Sequence, residues 1–349
     1  MNILRLISAV IFGALFVQGI LLVLTVESAA PSIMKVEIRG SIQPSTASYI
    51  KRAVSEASKR NSVALLIELD TPGGMLGPTR SIVTSILSSE VPVIVFVTPS
   101  GARAGSAGTF IVAASHVAAM SPATNIGAAT PVGANGEDLD DTMKSKSSQD
   151  AAALLRSISE NRGRPTTPFE ETVIRSASFT SNEALQAGII DFIAADTQML
   201  VEKIDGSVIN IAHEAITLDI SNAPVEELRR SLLERFLDAV GNPNITFVLL
   251  TVGSIALTLE FVQPGILVGG FVGILAMAVA FVGMGQLPVN WVGVALLTAS
   301  LVLFFIEAQA PGLGLYITGG ILCFLLGAFL LFGGLSPPPI NGPSFRVST

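Results

Sequence analysis

Residues 91–110 read VPVIVFVTPSGARAGSAGTF, an apolar run followed by a turn in which Ser106 stands among glycines and alanines. The continuous run of β-branched and aromatic residues predicts a buried strand, and the small residues predict a tight turn into a helix. Three interpretations of Ser106 compete: a turn without chemistry, a phosphate-binding glycine loop, or a nucleophile that a substrate backbone approaches closely. The rest of the sequence decides between them.

Strand patterns alternate with helix patterns on both sides of this stretch. IMKVEIRG (33–40) and VALLIELD (63–70) predict strands, and TASYIKRAVSEASKR (46–60) places its apolar residues on one helical face. DAAALLRSISENRGRP (150–165) predicts a helix that its Gly-x-Pro ending stops. The alternation predicts an α/β domain of repeated strand-helix units over residues 31–220.

The composition departs from that of a soluble domain. Of 349 residues, 50% are hydrophobic and 13% are charged. Residues 6–24 are almost entirely apolar and are followed by small residues at 28–30, which predicts a signal peptide or an N-terminal anchor over residues 1–30. Under either interpretation, the segment that follows is exported.

Several kinds of site are excluded by residue counts. The single cysteine, Cys323, excludes an intrachain disulfide framework and a cysteine metal cluster. His116 and His213 lack metal-ligand spacing, so we expect no metal and no other cofactor. With 20 basic and 27 acidic residues the chain has no basic patch, and we expect no nucleic-acid partner.

Residues 244–334 form a second, strongly apolar region. Between Asp238 and Arg346 the only charged residues are Glu260 and Glu307. We therefore predict a multi-pass protein of the cell membrane, in contact with the lipid bilayer. The connecting loops contain no Lys or Arg and give no orientation, so the exported segment after residue 30 places the α/β domain on the extracytoplasmic side. About four membrane helices fit, at 245–262, 265–284, 289–306 and 313–333.

The membrane region contains an internal repeat. LLTVGSIALTLEFVQPG (249–265) aligns without gaps with LLTASLVLFFIEAQAPG (296–312), and a glycine-rich span follows each segment. The repeat predicts two tandem helical hairpins, with Glu260 and Glu307 at equivalent points of their turns. A glutamate at a membrane boundary is costly unless it is paired or hydrated. Either the two glutamates bind a partner or gate substrate, or each one caps the following helix.

Two further segments connect these regions. NAPVEELRRSLLERFLDAV (222–240) carries an apolar stripe with charges opposite, which predicts an amphipathic linker helix within residues 221–243. This helix either lies at the membrane surface or packs on the α/β domain. GANGEDLDDTMKSKSSQ (133–149) is polar, which predicts a mobile surface loop.

The phosphate interpretation of the glycine loop fails on its residues. The segment 101–108 lacks the lysine of a P-loop and the Gly-x-Gly start of a dinucleotide-binding turn. The nucleophile interpretation gains support from DTPGG (70–74), which ends the preceding strand and so meets the serine at one edge of a parallel sheet. Backbone N–H groups of Gly73 or Gly74 and of Ala107 could then form an oxyanion hole.

A serine nucleophile also needs a base. His116 lies at the far end of the helix that Ser106 opens, about 15 Å away by helical rise, and His213 lies beyond the α/β core. Lysine is the alternative, because Ser-Lys pairs replace the Ser-His-Asp triad on several folds when the amine is desolvated. Lys144 and Lys146, in the polar segment, are the candidates.

In their order along the chain, these motifs resemble a known family. DTPGG, ARAGSAGTFI (102–111), NIGAATPVG (125–133), a lysine four residues before DAAALLRSISENRGRP, and EALQAGIID (183–191) follow one another. Together they resemble the membrane-bound serine proteases of the NfeD family, a branch of the Clp-protease and signal-peptide-peptidase superfamily with a crotonase-like fold. The resemblance covers residues 1–335.

The resemblance implies a Ser-Lys dyad, with Ser106 as nucleophile and Lys146 as general base. Lys146 matches the family pattern because it stands four residues before Asp150. The family's oxyanion glycines fall on Gly73 and Gly74. Related enzymes cleave apolar stretches near the C-terminus of stomatin-like membrane proteins, so such a protein is the expected substrate or partner. We also expect a homo-oligomer.

One departure and one alternative function accompany the resemblance. Family members of this long type continue into another membrane helix and a cytoplasmic OB-fold domain, so we interpret the tail, 335–349, as truncated before that module. The main alternative is a non-catalytic membrane scaffold that assembles with a stomatin-like protein, which the repeated E-x-x-x-P-G segments favour. An acyl-CoA enzyme of the same fold conflicts with export and with the membrane anchor.

Overall fold

The computed structural model describes residues 32–133, 139–211, 214–263, 268–285, 290–309 and 314–331. The predicted signal or anchor segment (1–30), His213 and the tail (335–349) lie outside these residues. Within them, a mixed α/β domain precedes a helical, mostly apolar region, and this agrees with the fold class that the sequence predicts.

Parallel strands form the central sheet of the α/β domain. They are β1 (Ile33–Arg39), β2 (Ala64–Asp70), β3 (Val93–Val97), β5 (Val117–Met120), β8 (Phe192–Ile193) and β11 (Val225–Glu227). Their order across the sheet is β11, β1, β2, β3, β5, β8, and every neighbouring pair is parallel. All five residues of β3 are buried, because layers of side chains cover both faces of the sheet.

A small second sheet positions the serine turn. It contains β4 (Arg103–Gly105), β6 (Asn125–Gly127) and β7 (Ser178–Thr180). β6 pairs in parallel with β4 and antiparallel with β7. β9 (Val208–Ile211) and β10 (Glu214–Thr217) form a separate antiparallel hairpin. Because β4 ends at the residue before Ser106, its pairing with β6 fixes where the serine emerges.

Helices pack on both faces of the central sheet. They are α1 (Pro44–Lys59), α2 (Leu76–Leu87), α3 (Ala107–Ala114), α4 (Asp141–Asn161), α5 (Thr166–Ile174), α6 (Ser181–Gln186), α7 (Thr197–Ile204) and α8 (Leu232–Val240). Side chains of β2 alternate between two cores: Leu65 packs in the core that α1 to α4 share, and Leu66 packs in the core that contains α7. This alternation covers both faces of the sheet with apolar side chains.

The linker helix is shorter than the sequence predicts. α8 begins at Leu232, after a capping box in which the Ser231 side chain accepts the N–H of Glu234. Residues 225–227 instead form β11, which pairs in parallel with residues 33–35 of β1. The helical prediction for residues 222–231 was therefore wrong: pairing along the edge of β1 satisfies backbone groups and overrides the apolar stripe. The α/β domain consequently extends beyond residue 220.

The polar segment 133–149 is also more regular than predicted. Residues 141–149 belong to α4, and the Asp140 side chain caps this helix by accepting the N–H of Met143 at 3.0 Å. Residues 141–146 are all exposed, so their polarity reflects a solvated helix and not a loop. The prediction of a mobile loop was wrong for this part, and residues 134–138 lie outside the described residues.

Apolar helices make up the region after the α/β domain. They are α9 (Pro243–Val262), α10 (Val268–Met284), α11 (Trp291–Gln309) and α12 (Leu315–Leu331). Among the described residues, α9 is the helix long and apolar enough to cross a membrane, with 20 residues and a mean hydropathy of 2.1. The other apolar helical segments, 268–284, 292–307 and 315–331, are shorter.

Glycines let the apolar helices pack closely in pairs. A Cβ added at Gly273 would lie 2.6 Å from Cγ of Leu257, and one added at Gly320 would lie 2.5 Å from Cε1 of Phe304. Close backbone approach at small residues is typical of membrane helix pairs. These two contacts are related by the same shift that aligns residue 249 with residue 296. The hairpins α9–α10 and α11–α12 thus repeat in packing as well as in sequence.

Candidate functional site

Ser106 stands between β4 and α3 in a strained conformation. It is the N-cap of α3, with φ 46° and ψ −105°, in a region that residues other than glycine rarely adopt. Its N–H donates to the carbonyl of Gly127 on β6 at 2.8 Å, which holds the backbone in place. The Ser106 side chain makes no capping hydrogen bond with α3. The hydroxyl is therefore presented at the helix N-terminus without serving the helix.

The DTPGG turn lies directly against this serine. Gly73 has φ +123°, and a Cβ added there would lie 2.8 Å from the Ser106 Cβ. On the other side, a Cβ at Gly105 would lie 3.0 Å from the carbonyl oxygen of Pro72. The structure thus brings together Ser106 and Gly73, two of the predicted site residues. Only glycine allows this approach, because any side chain would occupy the space of the serine.

Thr71 locks the glycine turn. The Gly73 N–H donates to Thr71 Oγ1 at 3.0 Å, and the Thr71 hydroxyl donates to the Gly73 carbonyl at 3.0 Å. Thr71 itself is completely buried. The Gly73 amide is therefore engaged inside the turn in this structure and is not directed at an oxyanion.

Gly74 and Ala107 are better placed than Gly73 to donate hydrogen bonds. Gly74 forms a parallel bridge with Ile42, but the hydrogen bonds of this bridge use the Gly73 carbonyl and the Met75 N–H, both at 2.9 Å. The N–H of Gly74 therefore points away from Ile42. Ala107 is the first residue of α3, where backbone N–H groups lack an intrahelical acceptor and favour negative charge.

Sequence reasoning missed three of the residues that shape this site. Thr71, Ile42 and Gly127 hold the glycine turn and the serine through the hydrogen bonds given above. Of the three, the sequence could have indicated only Thr71, since a threonine beside two glycines is typical of a turn that a side-chain hydroxyl stabilises by hydrogen bonds to the backbone. The other two act through backbone groups, which any residue type supplies.

Lys146 makes no hydrogen bond with Ser106 among the residues that the structure describes. It lies on α4 with an exposed side chain. Ala151 is the first buried residue of α4. Lys146 therefore lies about 7 Å beyond the packed part of the helix by helical rise.

The direction of α4 nevertheless brings its start to the serine's end of the domain. Near this start Asp150 pairs with Arg80 on α2, and at the other end Arg162 donates to the carbonyl of Ala114, the last residue of α3. α4 thus runs in the same direction as α2 and α3. Since α3 begins beside Ser106, the N-terminal turns of α4 project from the same end of the domain.

His116 is a structural residue and not the base. Its Nδ1 accepts the N–H of Val93 at 3.0 Å. Burial, and then the charges of Arg162 and Arg164, lower the pKa of His116 to about 3. The imidazole is held neutral as a backbone acceptor beyond the far end of α3, in agreement with the boundary position that the sequence indicates.

Acid is expected to destabilise the α/β domain through His116. Its folded pKa of about 3 lies below its usual value of 6.5, so protonation favours the unfolded chain and stability is lost as the pH falls below 6.5. Between pH 7.5 and pH 5.0 this group should lower the free energy of unfolding by about 2 kcal/mol. Unfolding of the full chain in detergent at the two pH values, for the wild type and His116→Asn, measures the difference.

A single substitution isolates the contribution of His116. His116→Asn should lose about 2 kcal/mol of the pH dependence that the wild type shows. Equal pH dependence in the wild type and His116→Asn would show that His116 is not held neutral by the fold.

Glu260 adopts the capping role that the sequence allows. It lies in the last turn of α9, and its Oε2 accepts the N–H of Gly270 near the start of α10 at 3.3 Å. Glu307 occupies the corresponding position on α11 and is half-buried. The two Pro-Gly turns lie outside the described residues. Partner binding or substrate gating by these glutamates stays a prediction.

Two family descriptions match the chain. Residues 32–167 match the NfeD1b N-terminal domain, and residues 244–348 match the NfeD integral membrane domain. The chain is 35% identical over 303 residues to the membrane-bound protease PH1510 of Pyrococcus horikoshii, and this alignment covers 85% of this chain and 68% of that protein. It is 24% identical over 309 residues to the membrane protein NfeD1b of Bacillus subtilis, covering 86% and 68%.

Solved structures of one protease are also similar. The 1510-N membrane-bound stomatin-specific protease, a lysine-to-alanine mutant in complex with a substrate peptide, is 32% identical with a TM-score of 0.56, covering 61% of this chain and 98% of that chain. The 1510-N membrane protease specific for a stomatin homolog from Pyrococcus horikoshii is 32% identical with a TM-score of 0.52, covering 61% and 99%.

Proposed function

Because this chain belongs to the NfeD family of membrane proteases, with a Clp-protease-like α/β domain, we propose that it is a membrane-anchored serine endopeptidase whose nucleophile is Ser106. One observation carries the proposal: Ser106 is held in a strained N-cap with its hydroxyl unused by α3, directly against Gly73. Backbone strain of about 1–3 kcal/mol persists where the surrounding structure enforces it, as at active sites.

The proposed reaction has two stages. Ser106 Oγ attacks the scissile carbonyl carbon while Lys146 accepts the hydroxyl proton, and the lysine then passes this proton to the leaving amine. The N–H groups of Gly74 and Ala107 hold the oxyanion, each contributing about 3 kcal/mol, and Gly73 joins them when it leaves Thr71. A water activated by the same lysine then hydrolyses the acyl-enzyme.

The proposed substrate is an apolar segment of a stomatin-like membrane protein. Two exposed apolar side chains support this preference: Leu76, two residues after Gly74, is 49% exposed, and Val132, five residues after Gly127, is 50% exposed. Each of these side chains lies a few residues along the chain from a glycine that adjoins the serine turn, so both offer apolar surface to a substrate. A solved protease with a similar fold is described as stomatin-specific, which supports the same class of substrate.

The membrane arrangement is proposed on the helices described above. α9 has the length to span hydrocarbon, and the repeated hairpins support a multi-pass protein of the cell membrane. We propose that the α/β domain is extracytoplasmic and that the chain forms a homo-oligomer. The exposed N-terminal turns of α4 support assembly, because a projecting helix gains burial against a second copy.

A non-catalytic scaffold is the second candidate function. It is favoured by one observation: Lys146 is exposed and, among the described residues, makes no hydrogen bond with Ser106. Without a base the serine would stay idle, and the membrane hairpins would serve to hold a stomatin-like partner.

Fluorophosphonate labelling of the full chain in nanodiscs distinguishes the two candidates. A nucleophilic Ser106 should be modified covalently, and peptide mapping should find the adduct on Ser106 and not on the neighbouring exposed Ser100. Labelling should also stop cleavage of an apolar peptide. A chain that binds a stomatin-like partner but shows neither labelling nor cleavage would be the scaffold.

A further inference from the structure

A buried ion pair joins the α/β domain to the segment that leads into the membrane region. Arg52 on α1 donates two hydrogen bonds to Glu234 on α8, at 2.9 and 2.6 Å, and Glu234 is 6% exposed. Burial acts to raise the pKa of Glu234, but hydrogen bonds from Arg52 and from the Ser231 N–H outweigh it and lower the pKa. The pair is therefore ionised at neutral pH.

Contacts on either side extend this ion pair. The Tyr49 hydroxyl donates to the carbonyl of Leu228, and the Arg230 guanidinium lies 4.8 Å from the centre of the Tyr49 ring. Gln43 Nε2 donates to the carbonyl of Gly241 at 3.4 Å. We call Gln43, Tyr49, Arg52 and Glu234 the clamp, because together they hold α8 and the segment just before it along α1.

The order of these contacts fixes the direction of α8. Glu234 meets Arg52 within α1, whereas Gly241 meets Gln43 at the N-cap of α1. α8 therefore runs antiparallel to α1, towards the edge of the sheet at which parallel strands end. This is the edge that bears the DTPGG turn and Ser106. α9 begins two residues after Gly241, so the membrane region starts on the serine's side of the domain.

The connection between the site and the clamp is short. Ile42 precedes Gln43 and forms the parallel bridge with Gly74. The path from Gly74 to Gly241 crosses to Ile42 on the neighbouring strand, moves one residue to Gln43 and follows the Gln43 side chain. Its length is on the order of 15 Å. Because α9 is long enough to cross hydrocarbon, its first residues lie at the membrane surface.

On the basis of the proposed function, we infer that the clamp holds the Ser106 site within about 20 Å of the bilayer and so restricts cleavage of membrane-bound substrates to apolar segments lying directly at the membrane surface. The restriction is geometric, because a segment kept further from the bilayer cannot reach the serine. Gln43, Arg52 and Glu234 are positioning residues, since they act on the placement of the domain.

Energy transfer to the bilayer tests the placement of the Ser106 site independently of catalytic activity. In a Cys323→Ser background, a donor dye is attached at Ser100→Cys, on the serine's edge, or at Ser88→Cys, at the far end of α2. Both serines are exposed, and α2 separates the two edges by about 18 Å. In nanodiscs containing acceptor lipids, energy transfer should be clearly stronger from position 100 than from position 88.

The clamp is removed by the double substitution Arg52→Met and Glu234→Leu, which leaves neither charge buried alone. A second variant combines this double substitution with a flexible spacer of about ten Gly and Ser residues after Arg229, which frees α8 from both the clamp and the short chain connection to the domain. The matched control is Arg156→Met with Glu170→Leu, an exposed ion pair of the same geometry between α4 and α5, at 2.7 and 2.9 Å.

Cleavage is then compared for three peptides in nanodiscs: a soluble apolar peptide, the same sequence anchored directly at a lipid, and the same sequence behind a rigid helical spacer of about 30 Å. The wild type should cleave the directly anchored peptide at least about tenfold faster than the spaced one. In both clamp variants this ratio should approach one, with the soluble peptide cleaved at the wild-type rate. The control pair should keep the wild-type ratio.

Two results would overturn the inference: equal energy transfer from positions 88 and 100 in the wild type, or clamp variants that keep both the transfer difference and the cleavage ratio. If no form cleaves the soluble peptide, the proposed protease function fails. The energy-transfer comparison then still decides whether the clamp holds the domain at the membrane.

Discussion

Replacing Ser106 by alanine is expected to lower kcat/KM for an apolar peptide by about 10⁴-fold or more, because the substitution removes the proposed nucleophile. The alanine keeps the Cβ that packs against Gly73, so the turn should stay intact. Hydrolysis of a fluorogenic apolar peptide by the full chain in nanodiscs measures the loss. KM should change little, because the hydroxyl contributes to the transition state more than to binding.

Two further serine variants separate chemistry from folding. Ser106→Gly should be equally inactive but more stable by about 1 kcal/mol, since glycine adopts the positive φ of 46° without strain. Ser100→Ala, in the exposed turn that precedes β4, should keep full activity. Activity of Ser106→Ala within a factor of about ten of the wild type would reject Ser106 as the nucleophile.

Replacing Lys146 by alanine is expected to lower kcat by about 10³-fold, the usual contribution of a general base. Lys144→Ala, two residues earlier on the same exposed turns of α4, is the matched control and should retain activity. Lys146→Arg should not rescue the loss, because a guanidinium does not release its proton in proteins. Equal activity of Lys146→Ala and Lys144→Ala would remove Lys146 from the mechanism.

This prediction requires the start of α4 to rearrange. Lys146 is exposed and lies about 7 Å beyond the first buried residue, Ala151, so it must move to reach Ser106. Residues 141–149 are exposed apart from the half-buried Ser147 and Ser148, so unwinding them costs little burial. Four unwound residues before Asp150, which Arg80 holds, give Lys146 a reach of about 13 Å.

Hydrogen exchange on the Ser106→Ala variant reports this rearrangement. Amides of residues 141–149 should change their protection when an apolar peptide binds, whereas those of the buried part of α4 from Ala151 should not. Unchanged exchange across the whole helix, together with an active wild type, would mean that another group supplies the base.

Local patterns in the sequence were sufficient for much of the fold. The apolar runs at 63–70 and 91–97 predict β2 and β3, since unbroken β-branched stretches suit strands covered on both faces. Small residues after β3 predict the turn that opens α3 at Ser106. The two glycine turns follow neighbouring parallel strands, and the side of the sheet on which they meet is fixed by that topology.

Where local patterns were weak or ambiguous, tertiary pairing decided the structure. Residues 225–227 carry a helical stripe but form an edge strand, because β1 offers backbone groups that must be paired. Residues 141–149 have loop composition yet extend α4, because Asp140 caps the helix and solvent satisfies its polar side chains. β4, β6 and β7 have three residues each, too few for a periodic signal.

The sequence by itself determined the α/β domain, the apolar helices that follow it, and a serine at a helix opening beside a glycine turn. Only the tertiary structure decided that Gly73 is hydrogen-bonded to Thr71, that Lys146 is exposed, and that Arg52 and Glu234 join α1 to α8. The physical reason is range: hydrophobic period and turn chemistry act between neighbours along the chain, whereas these contacts depend on how distant segments pack.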